Sequence, residues 1–261
     1  MDVCAIQYDI AWEDKAANFA RVRALLAGAD PAPGGLIVLP EMFATGFSMN
    51  VAAICEGRER AAEGALAEFA AERGCAVLGG VVTRAADGRG RNQAVLVGPD
   101  GRELARYTKM HPFSFAGETA HYAPGERPVV VEWGGAKLAP FVCYDLRFPE
   151  VFRSVTASGA EVLAVIANWP ASRREHWRTL LRARAIENQA YVVGVNRIGA
   201  DPNVAYSGDS LIVGPRGEVL ADAGTGQCTV CTRLDLGGLR AYRKEFPALK
   251  DMKEGWVRTE I

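Results

Sequence analysis

The sequence predicts an α/β fold, in which strands and helices alternate along a single chain. Short apolar runs, such as Leu36 to Leu39 and Val162 to Ala167, have the length of buried strands, and between such runs apolar residues recur at helical spacing. With 261 residues, of which 49% are hydrophobic and 23% charged, the chain can bury a sizeable core. No Pro/Ser-rich linker or block of charge divides it, so we expect one domain over residues 1–261.

The first half contains two predicted helices and four predicted strands. The helices are marked by apolar residues on one face, and the strands by apolar runs that end at proline, glycine or charged residues. In chain order they are a helix through Phe19, Val22 and Leu26; a strand from Leu36 to Leu39; a helix through Ala62, Leu66, Phe69 and Ala70 that Gly74 can terminate; and strands from Ala76 to Val82, Gln93 to Val97 and Glu103 to Lys109.

The second half repeats this alternation after a long loop. In chain order its elements are a strand from Lys137 to Val142; a helix through Phe148, Val151, Phe152 and Val155 that ends before Gly159; a strand from Val162 to Ala167; a helix through Trp177, Leu180, Leu181 and Ala185; and strands from Tyr191 to Asn196 and Ser210 to Val213, which close the sheet.

The two halves also share a short sequence repeat. Val95 to Leu104 aligns with Leu211 to Leu220 at an offset of 116, and both segments contain Val-Gly-Pro-x-Gly. Proline and glycine at these positions favour a tight hairpin between two strands. Such hairpins are common and the match alone could arise by chance, but the same order of strand, helix and strand precedes each. We therefore infer two similar halves whose sheets pack face to face and are covered outside by helices.

Composition and charge exclude several classes of function. The 30 Lys and Arg residues balance 31 Asp and Glu residues, so the basic surface of a nucleic-acid binder is not expected. No apolar run reaches the roughly 18 residues of a membrane span, and the first six residues lack the basic start of a signal peptide. The six cysteines are too few and too irregularly spaced for a disulfide scaffold. We expect a cytoplasmic protein with a small-molecule partner and no membrane partner.

Familiar cofactor and metal motifs are missing from the sequence. It contains no P-loop and no G-x-G-x-x-G, H-E-x-x-H or G-x-S-x-G pattern. With only three histidines, at positions 111, 121 and 176, we predict neither a metal nor another cofactor. Cys228 and Cys231 form a C-x-x-C pattern, but residues three apart in a strand point to opposite faces. We interpret them as two ordinary strand cysteines and not as a redox pair.

Cys143 differs from the other cysteines because it lies where a strand passes into a helix. It follows the apolar strand and precedes Pro149, which is suited to the first turn of a helix. Backbone N–H groups at such a helix start can lower the pKa of a thiol and donate to an oxyanion. The commoner role of a lone cysteine is structural, as a buried apolar side chain.

Glu41 and Lys109 also lie at the ends of predicted strands, where sites collect in α/β sheets. Taken singly, each is expected to be a solvated surface charge. Taken together with Cys143, they supply what acyl transfer from an amide needs, namely a base, a cation for the oxyanion and a covalent acyl carrier.

Four segments resemble motifs of the nitrilase superfamily, whose members use a Glu-Lys-Cys triad. They are residues 39–43 (LPEMF), 107–113 (YTKMHPF), 115–118 (FAGE) and 142–150 (VCYDLRFPE). The similarity continues through Asn168-Trp169-Pro170 and residues 182–189 to the hairpin at Gly214, so it spans nearly the whole chain. It implies a four-layer α-β-β-α sandwich, which agrees with the two predicted halves. It also implies that the protein forms homodimers or larger homo-oligomers.

The resemblance implies a catalytic role for four residues. We expect Glu41 to take the proton of Cys143, whose thiolate attacks an amide carbon, releases ammonia and leaves a thioester that water hydrolyses. Lys109 and the backbone N–H of Tyr144 would stabilise the oxyanion. The resemblance assigns to Glu118 the orientation of Lys109, and a simple loop charge is the alternative.

Within the superfamily the chain looks most like the omega-amidase branch, through residues 144–150, 168–173 and His176-Trp177. Enzymes of this branch hydrolyse the terminal amide of dicarboxylic monoamides, especially 2-oxoglutaramate and 2-oxosuccinamate. The predicted binding residues are Tyr144, Asn168, Trp169, Arg147 and Arg173. An arginine matches the substrate carboxylate in two-point geometry. The alternatives are that Arg147 pairs with Glu150 and that Trp169 belongs to the core.

Other functions remain open at this stage. A Cys-His hydrolase would pair Cys143 with His111 or His176, and a non-catalytic member would keep the fold alone. A hydrolase of the same fold would use the same triad on another small amide, a carbamoyl compound or a nitrile. The loop from His111 to Gly125 contains glycines and a proline that allow either a mobile lid or a static loop.

Overall fold

A computed structural model describes residues 1–28 and 31–253. Within this part of the chain, two six-stranded sheets form the centre of the molecule. The first sheet contains β1 (Asp2–Gln7), β2 (Leu36–Val38), β3 (Ala76–Arg84), β4 (Gly90–Val97), β5 (Glu103–Thr108) and β14 (Cys228–Arg233). The second contains β6 (Val131–Trp133), β7 (Ala136–Val142), β8 (Val162–Ala167), β9 (Tyr191–Asn196), β12 (Leu211–Val213) and β13 (Val219–Asp222). A separate hairpin consists of β10 (Ile198–Ala200) and β11 (Ala205–Ser207).

The described helices are distributed around the two sheets. They are α1 (Lys15–Ala27), α2 (Val51–Ile54), α3 (Ala61–Arg73), α4 (Glu118–His121), α5 (Pro149–Ala157), α6 (Arg174–Asn188) and α7 (Leu236–Glu245). Helices α1 and α3 pack on the outer face of the first sheet, and α5 and α6 pack against the second. No helix in residues 1–28 and 31–253 combines the length and apolar character that crossing a membrane requires.

The two sheets have the same topology. The strand orders are β14-β1-β2-β3-β4-β5 and β6-β7-β8-β9-β12-β13. In both, successive neighbours pair antiparallel, parallel, parallel, antiparallel and antiparallel. The predicted α/β sandwich with two pseudo-symmetric halves is therefore confirmed.

The repeated Val-Gly-Pro-x-Gly segments form equivalent hairpins, β4–β5 and β12–β13. The N–H groups of Gly98 and Gly214 donate to the carbonyl four residues later at 2.9 and 2.8 Å. Gly101 and Gly217 have φ of +76° and +86°, a conformation that a β-carbon disfavours. Both hairpins also carry a register shift in the strand before the turn.

Alternation along the strands divides the core into layers. Val3 and Ala5 of β1 pack between the two sheets, whereas Cys4 and Ile6 face the layer that contains α1 and α3. This period of two is the ordinary consequence of strand geometry. The inner layer is small and apolar at most positions, so the ends of the two sheets lie close enough for side chains from both to meet.

Several predicted boundaries differ from the structure. The strand predicted to begin at Gln93 begins at Gly90, and a 3₁₀ turn over Cys143–Arg147 separates β7 from α5. The prediction that Ser210 to Val213 closes the sheet is wrong, because β13 forms the edge and β14 returns to the first sheet. Strands β13 and β14 are largely solvent-accessible and mix polar with apolar residues, so they lack the apolar run on which the prediction depended. Residues 29, 30 and 254–261 of the predicted domain lie outside the described residues.

Cys228 and Cys231 both lie in β14 and are not bonded to each other, as the sequence predicted. The prediction that Cys231 is an ordinary strand cysteine is wrong. Cys231 is joined by a disulfide to Cys4, which lies directly opposite it in the antiparallel pair of β1 and β14, with 4.1 Å between the two Cα atoms. The two residues are 227 positions apart, so the local C-x-x-C spacing contains no information about this pairing. Cys55, Cys75, Cys143 and Cys228 are free thiols.

Candidate active site

Three predicted catalytic residues follow strands that end at the same side of the sandwich. Glu41 comes after β2, Lys109 after β5 and Cys143 after β7. Lys109 Nζ lies 3.1 Å from Glu41 Oε1 and 2.9 Å from Glu118 Oε2, which belongs to α4. Glu41 and Glu118 are fully buried and Lys109 is 1% exposed. The structure therefore places an ammonium group between two carboxylates, with none of the three in contact with bulk water.

A close approach of β3 fixes the backbone turn that presents Glu41. A β-carbon on Gly80 would lie 2.2 Å from the backbone nitrogen of Met42, so only glycine fits there. Met42 itself has φ of +46°. From the second sheet, the N–H of Asn168 donates to Glu41 Oε2 at 2.8 Å, and Asn168 Nδ2 donates to the Glu41 carbonyl at 2.6 Å. These bonds hold the Glu41 carboxylate against the residue that follows β8.

Cys143 lies at a strained elbow between β7 and the 3₁₀ turn. Its φ is +47°, in the left-handed region that residues other than glycine rarely adopt. The thiol points towards Asn168, whose carbonyl oxygen lies 3.8 Å from Cys143 Sγ. Asn168 thus contacts both Glu41 and Cys143.

Asp145 anchors this elbow and was given no role in the sequence analysis. Its carboxylate is fully buried and accepts the backbone N–H of Val142 at 3.1 Å and the hydroxyl of Tyr107 at 2.8 Å. Both of these bonds are to Oδ2. The other carboxylate oxygen, Oδ1, accepts the backbone N–H of His111 at 3.0 Å and lies 2.8 Å from His111 Nδ1. Asp145 therefore ties the loop after Lys109 to the turn that begins at Cys143.

The protonation states of the site follow from burial and charge. Burial lowers the pKa of Lys109, but the negative charges of Glu118 and Glu41 outweigh burial and hold that pKa above its ordinary value. Burial and the charge of Glu41 raise the pKa of Cys143 well above that of a free thiol, and Lys109 offsets this only in part. The thiol pKa is therefore not lowered by the start of the turn, because burial and the charge of Glu41 raise it. Cys143 rests as a thiol and needs a base.

A cavity of about 600 Å³ opens above Cys143 and Lys109. All five predicted binding residues line it: Tyr144, Arg147, Asn168, Trp169 and Arg173. Phe47, Phe113 and Phe115 add aromatic surface, and Phe115 is 85% exposed at the mouth. Trp169 is only 2% exposed and packs on Trp177 with ring centroids 5.6 Å apart, so it is both a wall of the cavity and part of the core.

Two arginines share this cavity without a carboxylate partner in the described part of the chain. Arg147 stacks on Trp169 with its guanidinium carbon 4.8 Å from the ring centroid, and Arg173 stacks on Phe113 at 5.4 Å. Burial and the nearby charge of Arg173 lower the pKa of Arg147. Arg147 Nη2 lies 3.2 Å from His176 Nδ1, and the alternative pairing of Arg147 with Glu150 is not found among the ion pairs of residues 1–28 and 31–253. The arginines thus form an electropositive wall.

The histidines are engaged elsewhere. His111 stacks on Phe148 with centroids 3.8 Å apart and contacts Asp145, while His176 contacts Arg147. Neither is among the residues that line the cavity beside Cys143. This arrangement does not favour a Cys-His pair. Within the described residues, no group of three or more His, Cys, Asp or Glu side chains is arranged to hold a metal ion.

Comparison with known proteins identifies the family to which the chain belongs. A family model described as carbon-nitrogen hydrolase matches residues 2–244. The chain belongs to the carbon-nitrogen hydrolase family. It is therefore a hydrolase that acts on C–N amide bonds, with the sandwich fold of the nitrilase superfamily.

Relatives of this carbon-nitrogen hydrolase include proteins named as amidases. The omega-amidase YafV of Yersinia enterocolitica is 43% identical over 256 residues, which cover 94% of each chain. The 2-oxoglutaramate amidase of Bacillus subtilis is 30% identical over 253 residues, covering 97% of each chain. Among solved structures, XC1258 of Xanthomonas campestris, a CN-hydrolase superfamily protein with an arsenic adduct in its active site, has a TM-score of 0.90 at 34% identity and 97% coverage of both chains.

Asn92 is the second site residue of this carbon-nitrogen hydrolase that sequence reasoning missed. It lies in β4, is 1% exposed, and contacts both Glu41 and Glu118 through Nδ2. The available signal was a buried amide at the start of an apolar strand, directly before Gln93, where an unpaired polar group is costly. The signal for Asp145 was an acidic residue two positions after the predicted nucleophile.

Proposed function

We propose that this carbon-nitrogen hydrolase is an omega-amidase that cleaves the terminal amide of a small dicarboxylic monoamide, 2-oxoglutaramate or 2-oxosuccinamate. The observation that carries the proposal is the pair of arginines, Arg147 and Arg173, in the same cavity as Cys143 and Lys109. A guanidinium group without a carboxylate partner is a ready site for a substrate carboxylate. The names of the relatives support the same class of substrate.

In the first half of the reaction, Glu41 acts as general base. It takes the proton of the Cys143 thiol, and the sulfur attacks the amide carbon to form a tetrahedral oxyanion. Lys109 and the backbone N–H of Tyr144 stabilise that oxyanion. The C–N bond then breaks, the nitrogen receives the proton from Glu41, and ammonia leaves a thioester on Cys143.

In the second half, water replaces ammonia. Glu41 takes a proton from the water, the hydroxide attacks the thioester carbon, and the same donors stabilise the second oxyanion. The C–S bond breaks, the acid is released, and the proton returns from Glu41 to the sulfur. Glu118 holds Lys109 in place throughout, as its contact of 2.9 Å indicates.

The substrate fits the cavity with its two ends at different walls. The terminal amide lies at Cys143, and the distal carboxylate lies between Arg147 and Arg173. The aromatic rings of Trp169 and Phe113, on which these arginines stack, keep the guanidinium planes facing the cavity. Tyr144 and Asn168 complete the walls beside the reacting carbon.

The enzyme is further proposed to work in the cytoplasm as a homodimer or larger homo-oligomer, on a free amide and without a nucleic-acid or membrane partner. The balanced charge of the chain and its scattered basic residues support this proposal. Light scattering on the purified protein tests the oligomeric state, and a fractionated cell extract tests the compartment.

The deciding experiment measures ammonia release from four compounds, namely 2-oxoglutaramate, 2-oxosuccinamate, a neutral aliphatic amide and a nitrile. Wild type is compared with Cys143→Ala. We expect release from the two oxo acids that disappears in the variant. Faster release from the neutral amide or the nitrile would replace the proposed substrate with that class, and release that persists in Cys143→Ala would remove Cys143 from the mechanism.

A further inference from the structure

Asn92 closes a ring of polar contacts behind Cys143. Its Nδ2 donates to Glu41 Oε1 at 2.7 Å and to Glu118 Oε1 at 3.0 Å. Lys109 Nζ donates to the same two oxygens, each at 3.1 Å. Two carboxylate oxygens therefore alternate with two nitrogen donors, one charged and one neutral.

The charges of this ring explain why a neutral donor stands there. Two carboxylates carry two negative charges, and the ammonium of Lys109 supplies one positive charge, so the buried group keeps a net negative charge. Like charges at this distance favour the uptake of a proton by one of the carboxylates. An amide with two N–H groups opposes that uptake by hydrogen bonding to both ionised groups without adding charge. The opposite amide orientation would face Oδ1 towards two carboxylate oxygens, so the donor orientation is dictated by the neighbours.

The two carboxylate oxygens of Glu41 have different hydrogen-bond donors. Oε1 accepts from both Asn92 and Lys109, whereas Oε2 accepts the backbone N–H of Asn168 at 2.8 Å and has a more distant contact of 3.4 Å with Asn168 Nδ2. Because the carbonyl of the same Asn168 contacts Cys143 Sγ, Oε2 is the oxygen on the nucleophile side.

We propose that Asn92 is a positioning residue for catalysis, which holds the carboxylate of Glu41 turned so that Oε2 receives the proton of Cys143. This inference rests on the proposed role of Glu41 as general base. The proton passes from sulfur to Oε2 as the S–C bond forms, and from Oε2 to nitrogen as the C–N bond breaks. Asn92 touches neither substrate nor sulfur and acts through Glu41.

Other titratable groups that face Glu41 remain in place when Asn92 is changed. They are Lys109, Glu118, Cys143, Tyr122 at the end of α4 and Tyr206 on β11. Burial raises the pKa of both Tyr122 and Tyr206 far above the range in which the enzyme would be assayed, so these two stay neutral. A change in the acid side of the pH profile therefore reports on the carboxylate ring.

The test uses Asn92→Leu, which removes the donor, and Asn92→Asp, which keeps the size of the side chain and adds a third negative charge. The matched control is Asn188→Leu, because Asn188 is also fully buried but donates only within α6, to the Arg184 carbonyl at 2.9 Å. Two pH profiles are measured for each protein. One is kcat/KM for ammonia release, and the other is the rate at which iodoacetamide alkylates Cys143, followed by peptide mass spectrometry.

For Asn92→Leu we expect kcat/KM to fall by roughly 10- to 100-fold, the usual effect of losing a hydrogen bond to a charged group. The acid limb of both profiles should move to higher pH, because the two carboxylates lose a hydrogen-bond donor that favours their charged form. Asn92→Asp should move it further in the same direction. If Asn92→Leu does not fold, the acid limb of the two profiles of Asn92→Asp decides whether Asn92 has the proposed role.

Unchanged acid limbs in the Asn92 variants would overturn the proposal, as would an equal movement in Asn188→Leu. The alkylation profile requires no amide substrate. A wild type that hydrolyses none of the tested amides would therefore contradict the proposed function, while the movement of the alkylation limb would still decide the role of Asn92.

Discussion

Glu41 and Cys143 are coupled because burial raises the pKa of the thiol and the charge of Glu41 raises it further, more than any other charge does. For a thiol, a raised pKa means that the neutral form persists through neutral pH, so the anion forms only as its proton is accepted elsewhere. Glu41→Gln removes that acceptor. We expect amide hydrolysis to fall by at least roughly 10²-fold, the lower range for general-base catalysis.

The pH dependence of alkylation separates this role from a structural one. In wild type, alkylation of Cys143 should already be measurable at neutral pH, because Glu41 accepts the proton of the thiol. In Glu41→Gln it should rise only at alkaline pH, with the ionisation of the thiol itself. Hydrolysis near the wild-type rate in Glu41→Gln would show that another group accepts the proton.

Arg147 and Arg173 should affect acidic and neutral amides differently. A hydrogen bond to a charged group contributes about 1.5–3 kcal/mol, so Arg147→Gln or Arg173→Gln should raise KM for 2-oxoglutaramate by roughly 10- to 100-fold. KM for a neutral amide should change little. Arg182→Gln is the control, since Arg182 lies on α6, is not among the residues that line the cavity, and donates to the Gly217 carbonyl at 3.0 Å. Equal losses on both kinds of amide would assign the arginines to packing.

Hydrogen bonds to Asp145 hold the elbow between β7 and α5, where the positive φ of Cys143 is a conformation that the backbone does not favour. Asp145 accepts from Val142, Tyr107 and His111, so it joins three segments of chain at one carboxylate. Asp145→Asn leaves one side of the group facing donors with an NH₂, which costs about 1–3 kcal/mol of folding free energy for a buried, unsatisfied donor. We expect a lower Tm and a lower kcat together.

A matched comparison separates stability from catalysis. Asp209 is also fully buried and accepts from Arg174 and Arg178, and it is not among the residues that line the cavity. Asp209→Asn should lower Tm with a smaller effect on kcat measured well below the unfolding temperature. A wild-type kcat in Asp145→Asn, with only Tm reduced, would limit Asp145 to a structural role.

The strands and helices that could be predicted from the sequence are those that neighbouring residues determine. The apolar runs of β8 and β9 and the αL residue Gly74, which ends α3 with φ of +62°, follow from neighbouring residues and agree with the structure. The roles of Asn92 and Asp145 could not be predicted, since each depends on partners from strands and turns distant in sequence. The raised pKa of Cys143 likewise depends on burial, which a local helix-start argument does not contain.

At the scale of the whole molecule, the disulfide joins the first and last strands of the chain, which are neighbours in the first sheet. Cys4 lies in the first strand and Cys231 in the last, so the bond closes a loop that contains nearly the entire domain. The bond fixes β14, the edge strand of the first sheet, to its neighbour β1. From β14 the chain continues into α7. Neither cysteine lies at the ends of β2, β5 and β7, which the proposed catalytic residues follow.

A cross-link of this kind is expected to stabilise by about 2–4 kcal/mol, mainly by restricting the unfolded chain. We predict that reduction by a phosphine lowers the Tm of the oxidised protein and leaves kcat at 25 °C unchanged, because the register of β1 and β14 contains five other residue pairs. Calorimetry with and without reductant measures the first effect, and ammonia release the second.

Cys231→Ser supplies the control, since its Tm should match that of the reduced wild type and should not respond to reductant. Non-reducing peptide mapping should recover the Cys4 and Cys231 peptides as one species in the oxidised protein. In a reducing cytoplasm the two thiols would remain separate, and the same fold would then depend on the paired strands alone. A fall in kcat on reduction would instead show that the first sheet transmits the state of this bond to Glu41, which follows β2, the neighbour of β1.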